Sequence, residues 1–175
     1  MSSTVFANLK QLVDNLETLK DEISETSLPV LGYLRRAANE LVELEGSALY
    51  EDFRDYVIEA RRISSAAYFW ALKYGNALYV YFSPPEKRGP FKFEEVFKDV
   101  EISQSYVNEH ALAFNQALDE VIFAISEITD YNKDLFEALA GEEFINVIAK
   151  YLNLLRQFQD TFNKFVDEAI KLSPP

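Results

Sequence analysis

The side chains best suited to chemistry in this sequence are His110, the only histidine, and Ser103, seven residues before it. Both fall on the apolar stripe of a predicted helix, where polar groups are uncommon. Two polar side chains on one stripe can hydrogen-bond to each other or to a facing helix, and so fix the helix register. We therefore predict a buried polar register pair. The alternative is a pH-sensitive switch, because a partly buried histidine titrates near neutral pH.

The sequence lacks the residue patterns of the common catalytic sites. A zinc protease helix needs two histidines, and a thiol nucleophile or thiolate metal site needs cysteine, which this chain does not contain. The five glycines stand apart from one another and form no phosphate-binding loop. Abundant carboxylates on long helices are typical of a solvated face. We therefore predict a non-enzymatic protein with no catalytic residue, cofactor or metal ligand.

Two pairs of adjacent arginines, at 35–36 and 61–62, are the main basic feature of the chain. If the chain reversed at Gly46, the two pairs would lie within about 6 Å of each other along the helix axes, at ~1.5 Å per residue. Arg35 and Arg61 have no acidic residue three or four positions away, whereas the second arginine of each pair does. Arg35 and Arg61 are therefore candidate contacts for an anion. The alternative is that they pair with acidic side chains of neighbouring helices.

A continuous apolar run precedes the proline-rich part of the chain and comprises Tyr79, Val80, Tyr81 and Phe82. Four apolar residues in a row cannot all face one side of a helix, so some are expected at the surface or under another chain. Because tyrosine and phenylalanine are enriched in interface cores, we predict a protein-interaction site here. The alternative is that these rings pack with Phe91 and Phe93 over the chain's own core. Periodicity does not decide whether residues 77–82 are helical.

The net charge of −12 is concentrated in one part of the chain. Residues 94–143 carry 13 acidic and 2 basic side chains, whereas the remainder is close to neutral. Such a balance disfavours nucleic acid and anionic membranes as direct partners, since both require neutralising lysines and arginines. The acidic segment is either a solvated face or a docking surface for a basic partner.

Four stretches place apolar residues at steps of three and four, which puts them on one face of a helix. The stripes begin at Val5, Leu49, Phe93 and Phe144. They predict an all-α fold, an antiparallel bundle of four to six long helices with heptad-like packing. The 175 residues are predicted to form one domain, with a front half (1–82), a proline-rich crossover (83–92) and a back half (93–175).

Proline, glycine and capping residues set the predicted helix ends. The first helix is predicted over about 4–25, followed by a break in which Ser27 caps a second helix and Pro29 occupies its first turn. That helix is expected to end at Gly46, with a third running towards Gly75. The remaining predicted helices cover about 93–129, a short stretch ending at Gly141, and about 142–172.

Targeting signals and membrane spans are not evident in the sequence. The N-terminus has neither the basic start nor the apolar run of a signal peptide, and the most apolar window, 64–82, is interrupted by Lys73. Cysteine is absent as well. We therefore expect a cytoplasmic protein that does not cross a membrane.

These observations favour an interaction protein over other functional classes. We predict a non-enzymatic helical adaptor, assembly subunit or accessory factor that acts through its helix faces. Its partner is expected to be another protein or a second copy of the chain, in a homo-oligomer or larger assembly, because persistent heptads favour association. One alternative is an acidic inhibitor that mimics nucleic acid and engages a basic protein. Another is a bundle that binds an apolar small ligand between aromatic-rich helices.

Overall fold

The computed structural model describes residues 3–40, 44–83, 86 and 98–175. It contains four long helices, which are α1 Ser3–Glu40, α2 Leu44–Phe82, α3 Gln104–Tyr131 and α4 Lys133–Leu172. No strand occurs in the described residues, and the all-α class predicted from the sequence is confirmed. Most of the predicted crossover between α2 and α3 lies outside the described residues.

Contacts between rings show how the helices are placed against each other. Phe6, near the start of α1, contacts Tyr79, near the end of α2, with ring centroids 5.5 Å apart. Phe53 in α2 lies 6.4 Å from Phe144 in α4, so the first parts of these two helices are neighbours. The third helix packs on both α2 and α4. Each helix therefore contacts at least two others.

The core is built from the predicted apolar stripes. Every stripe residue of α4 is buried, namely Phe144, Ile148, Tyr151, Leu155, Phe158, Phe162, Phe165 and Ala169. The stripe of α1 contributes Leu9, Leu16 and Ile23, and that of α2 contributes Phe53, Ala60, Ile63, Ala67, Trp70 and Tyr74. Burial of this apolar surface is the main force that holds the helices together.

The predicted break between the first two helices is wrong, because α1 is continuous through Pro29. The proline itself is exposed, while Ile23 and Val30 on either side of it are fully buried. The hydroxyl of Ser27, the predicted cap, instead donates to the Ser24 carbonyl at 2.6 Å. A proline inside a helix costs about 3 kcal/mol. Here the burial of the inner face of α1 outweighs that cost.

The predicted chain reversal at Gly46 is also wrong, since Gly46 lies inside α2. The first helix ends at Glu40, and α2 begins at Leu44. A glycine near the start of a long helix costs only about 1 kcal/mol and does not force an end there. The same helix continues through Gly75 to Phe82, which makes residues 77–82 helical.

The helix predicted over 93–129 begins later than expected within the described residues. Residues 98–103 are not helical, and α3 starts at Gln104. Ser103 has an extended backbone, and its hydroxyl accepts the Tyr106 N–H at 3.1 Å, which makes it the N-cap. Val100 is buried although it precedes the helix. Because Val100 is apolar and buried without being helical, the apolar spacing predicted a helix that begins too early.

A kink at Gly141 divides α4. It lies at the residue where the sequence predicted the end of a short helix. Gly141 has φ 79° and ψ 178°, whereas the residues on both sides are helical. This region of backbone space is essentially open to glycine alone. The helix then continues to Leu172, where Ser173 donates its N–H to the Ala169 and Ile170 carbonyls.

We expect Gly141→Ala to lower the free energy of unfolding by about 1–3 kcal/mol, because a side chain strains this backbone conformation. Gly32→Ala is the matched control. Gly32 is helical, and nothing lies within 4 Å of an added Cβ, so alanine should raise stability by up to about 1 kcal/mol. Urea unfolding curves measure both changes. A Gly141→Ala variant as stable as the wild type would contradict the strained kink.

Candidate functional site

An open groove runs between the first part of α1 and the last part of α2. Its volume is about 530 Å³, which lies in the range of small-ligand pockets. It is lined by Phe6, Ala7, Leu9, Lys10, Val13, Asp14, Leu72, Gly75, Asn76 and Tyr79. We name it the α1/α2 groove. Its walls are mostly apolar, and its polar side chains are exposed at the rim.

Two contacts between helices fix which residues face each other across this groove. Phe6 packs edge-on against Tyr79, and the Tyr68 hydroxyl donates to the Glu17 carboxylate. Between these two contacts α1 advances by 11 residues while α2 goes back by 11. The register of the two helices is therefore constant along the groove.

The polar rim consists of one side chain on α2 and two on α1. The register places Lys10 level with Gly75 and Asn76, so Lys10 and Asn76 stand on opposite rims. Asp14 follows Lys10 one turn later on the same rim. All three are exposed, and no described hydrogen bond or ion pair involves their side chains. The rim therefore offers polar groups that the fold itself does not use.

Gly75 lies on the floor of the groove, two turns before the end of α2. A Cβ at this position would lie 3.7 Å from the Phe165 ring and 3.9 Å from a Val13 methyl group, which are ordinary contacts. Packing therefore does not exclude alanine, although glycine inside a helix costs about 1 kcal/mol relative to alanine. The effect of the glycine is to keep the groove open above the core ring of Phe165.

The predicted interaction residues lie in the last turns of α2, at one end of the groove. Val80 is buried, whereas Tyr79 and Tyr81 are each 44% exposed and Phe82 is 38% exposed. Phe6 contacts both Tyr79 and Phe82, with ring centroids 5.5 and 6.4 Å apart. We name Phe6, Tyr79, Tyr81 and Phe82 the aromatic patch. The alternative packing with rings beyond the crossover lies outside the described residues.

The structure does not bring Arg35 and Arg61 level with each other. Both are exposed, and neither takes part in a described side-chain hydrogen bond or ion pair. On the register of α1 and α2, Arg61 is level with residue 24, about 16 Å from Arg35 along the axis at ~1.5 Å per residue. The distance arises because α1 ends at Glu40 and α2 begins at Leu44, so that Gly46 does not separate the two helices. The two arginines therefore have no common anion site between them.

Ser103 and His110 make separate contacts around Tyr106 and are not hydrogen-bonded to each other. Ser103 caps α3 through the Tyr106 N–H. His110 Nδ1 donates to the Tyr106 carbonyl at 2.9 Å, and because a carbonyl only accepts, Nδ1 carries a proton. The imidazole also stacks on Trp70, with centroids 5.4 Å apart and an interplanar angle of 8°. Their predicted role in register stays a prediction.

An amide pair that the sequence reasoning missed links α3 to α4. Asn115 and Asn163 donate to each other across the two helices, at 2.8 and 3.1 Å. Gln159 donates to Asn115 at 3.1 Å and to Asp119 at 2.8 Å. Both asparagines directly follow a phenylalanine of the apolar stripe, and this position beside the core is the only signal in the sequence. A half-buried amide pair of this kind constrains helix register.

An aromatic cluster surrounds the buried Trp70 and connects three helices. Its partners, with ring centroids within 6.4 Å, are Tyr74, Tyr106, His110, Phe114, Phe162 and Phe165. The Trp70 Nε1 atom is buried and has no hydrogen-bond partner among the described residues. The Tyr74 hydroxyl lies 2.6 Å from Ser173 Oγ, and burial raises the pKa of Tyr74 above its ordinary value. These contacts join α2 to the end of α4.

The acidic part of the chain forms an exposed face. Every acidic side chain between residues 98 and 143 is exposed, and of these Asp99 pairs with Lys73 at 3.8 Å. Leu112 and Phe123 on α3 are exposed as well, at 60% and 65%. They are 11 residues apart and so lie on one side of the helix. The face therefore combines negative charge with two apolar groups.

Comparison with known proteins gives no functional assignment. No protein-family model, curated protein or solved structure matches this chain. In the described ranges, no three histidine, cysteine, aspartate or glutamate side chains gather as a metal-binding group. None of the described helices has an apolar stretch long enough to cross a membrane. Functional inference therefore rests on the surfaces of the chain.

Of the titratable groups near the groove, Tyr68 has the best-defined contacts. Its side chain is buried, its hydroxyl donates to the Glu17 carboxylate, and Lys20 Nζ lies 4.6 Å from its ring centroid. Burial is the main cause that raises the pKa of Tyr68 to about 12, and the hydrogen bond to Glu17 reinforces it.

We expect the contribution of Tyr68 to the free energy of unfolding to decrease as the pH rises from 10 to 12. Over this range the tyrosine of the unfolded chain loses its proton while the folded state retains it, so unfolding becomes more favourable. Tyr68→Phe removes this effect, and the stability advantage of the wild type over the variant should shrink across the range. Tyr131→Phe, at an 83% exposed position, is the control. Urea unfolding at several pH values measures the difference, and a constant difference would contradict the assignment.

Proposed function

We propose that this chain is a non-enzymatic helical interaction protein that associates with a second copy of itself through the aromatic patch. The observation that supports the proposal most directly is the exposure of three rings in the last turns of α2. Tyrosine and phenylalanine are enriched in interface cores, and large rings contribute much apolar area for little conformational entropy. Self-association would remove this surface from water at about 25 cal/mol per Å².

The surroundings of the patch also suit an interface. Its rings contact one another, with Tyr81 and Phe82 centroids 4.9 Å apart, so they already form a continuous surface. Lys10 and Asn76 lie beside it and are exposed. An apolar centre with a polar rim is the usual anatomy of a protein interface.

We further propose the finer architecture, an antiparallel bundle with heptad-like packing in one domain, whose crossover at 83–92 leads from α2 to α3. The opposite progression of residue numbers between α1 and α2 supports this arrangement. The Asn115–Asn163 pair, with the contact of Gln104 to the Ile170 carbonyl, supports it for α3 and α4. A cytoplasmic protein without direct nucleic-acid contact fits the net charge of −12.

We expect the wild type to be a dimer, and Tyr81→Ser/Phe82→Ser to halve its mass to that of a monomer. Apolar contacts are not screened by salt, so the dimer should persist at high ionic strength. Phe123→Ser, which removes a more exposed ring from α3, should remain dimeric. Light scattering coupled to size exclusion, at low and high salt, measures these masses. A wild-type monomer throughout the concentration series would rule out self-association through the patch.

A second candidate function is an acidic inhibitor that engages a basic protein through the outer face of α3. The observation in its favour is the combination of exposed carboxylates with Leu112 and Phe123 on this helix. Charge pairs at an exposed surface weaken with salt. A complex that is released by salt and survives Tyr81→Ser/Phe82→Ser would support this candidate over the first.

A further inference from the structure

The α1/α2 groove has the features of a ligand site that self-association does not require. We propose that it binds a small amphiphile with an elongated apolar body and one carboxylate, the body along the floor of the groove and the carboxylate between Lys10 and Asn76. This inference goes beyond the proposed interaction function, because it concerns a small molecule. The groove shares Phe6 and Tyr79 with the aromatic patch but is not lined by Tyr81 or Phe82.

The dimensions of the groove favour a small molecule over a helix of a partner protein. The groove extends from Phe6 to Asp14 on α1 and from Leu72 to Tyr79 on α2. These stretches are about 11–12 Å long at ~1.5 Å per residue. A typical helix of about 11 residues is ~17 Å long and would extend beyond both ends. The volume of about 530 Å³ is that of an ordinary ligand pocket.

The floor of the groove suits an apolar body. Leu9 and Val13 present their side chains there and are otherwise buried in the core. Leu72 and Gly75 form the opposite wall and the floor. An added Cβ at Gly75 would make only ordinary contacts, so the glycine leaves more space above Phe165 than an alanine would. An apolar body can lie in this space.

The rim of the groove suits one carboxylate at its middle. Lys10 supplies an ammonium group and Asn76 an amide N–H₂, both hydrogen-bond donors, and the register places them opposite each other. A carboxylate only accepts hydrogen bonds and can take one from each side. Asp14, one turn further along α1, disfavours a second negative charge. A ligand with a single acidic group is therefore the best match.

The first experiment compares three probes with the same alkyl chain, namely decanoate, decanol and decylamine, each below its critical micelle concentration. Isothermal titration calorimetry on the full-length wild type measures their affinities. Decanoate should bind about fivefold more tightly than decanol, the size of effect expected for an exposed charge pair, and decylamine should bind most weakly. Equal affinities, a preference for decylamine through Asp14, or no binding at all would overturn the proposal.

Two variants locate the site. Gly75→Leu fills the floor and should reduce decanoate affinity by about tenfold or more, whereas Gly32→Leu, at an open position on α1, should leave it unchanged. Lys10→Gln should lower decanoate affinity to that of decanol without changing decanol affinity. Lys150→Gln, an exposed lysine on α4, is its control. Because Lys10 is exposed and has no described partner, its variant tests the site even if Gly75→Leu does not fold.

The proposals of a ligand site and of a self-association surface can be tested separately. Tyr81 and Phe82 do not line the groove, so Tyr81→Ser/Phe82→Ser should bind decanoate as the wild type does. Conversely, Lys10→Gln should retain the wild-type mass in light scattering. Unchanged decanoate binding by both Gly75→Leu and Lys10→Gln would place the ligand elsewhere and overturn the site.

Discussion

The dominant packing interaction in this structure is the burial of the ring-rich stripe of α4. This helix contacts each of the other three, and all eight residues of its stripe are buried. Its rings need apolar partners on several sides, since leaving them in water would cost much of the free energy of folding. Phe165 illustrates the consequence, because it lies against Trp70 and also beneath Gly75. The positions of α1, α2 and α3 follow from covering this stripe.

Apolar burial alone does not determine the register of the helices. Polar contacts between the helices determine it. The buried Tyr74 hydroxyl bonds to Ser173 at the end of α4, and Gln104 Nε2 donates to the Ile170 carbonyl there. An asparagine pair then links α3 to α4 further along. Rings are tolerant of small shifts, whereas a hydrogen bond is lost within about an ångström. These polar groups therefore select one register among several that would bury similar area.

The surface features have their origin in the same packing. α2 buries one face and carries the exposed rings Tyr79, Tyr81 and Phe82 at its end, because successive helical residues point in different directions. The groove beside them is lined by Gly75, which has no side chain to extend into it. The aromatic patch and the groove therefore adjoin each other and share Phe6 and Tyr79.

The helical class, the buried stripe of α4 and an interruption at Gly141 were predictable from the sequence, because spacing and glycine chemistry act within a few residues. The continuation of α1 through Pro29 and the place of Gly46 inside α2 depend on packing between helices. A local signal worth about 1–3 kcal/mol yields to the burial of a whole helix face. The positions of Arg61 relative to Arg35, and of Lys10 relative to Asn76, follow from that outcome. These residues are far apart in the sequence, so a local sequence pattern cannot predict their relative positions.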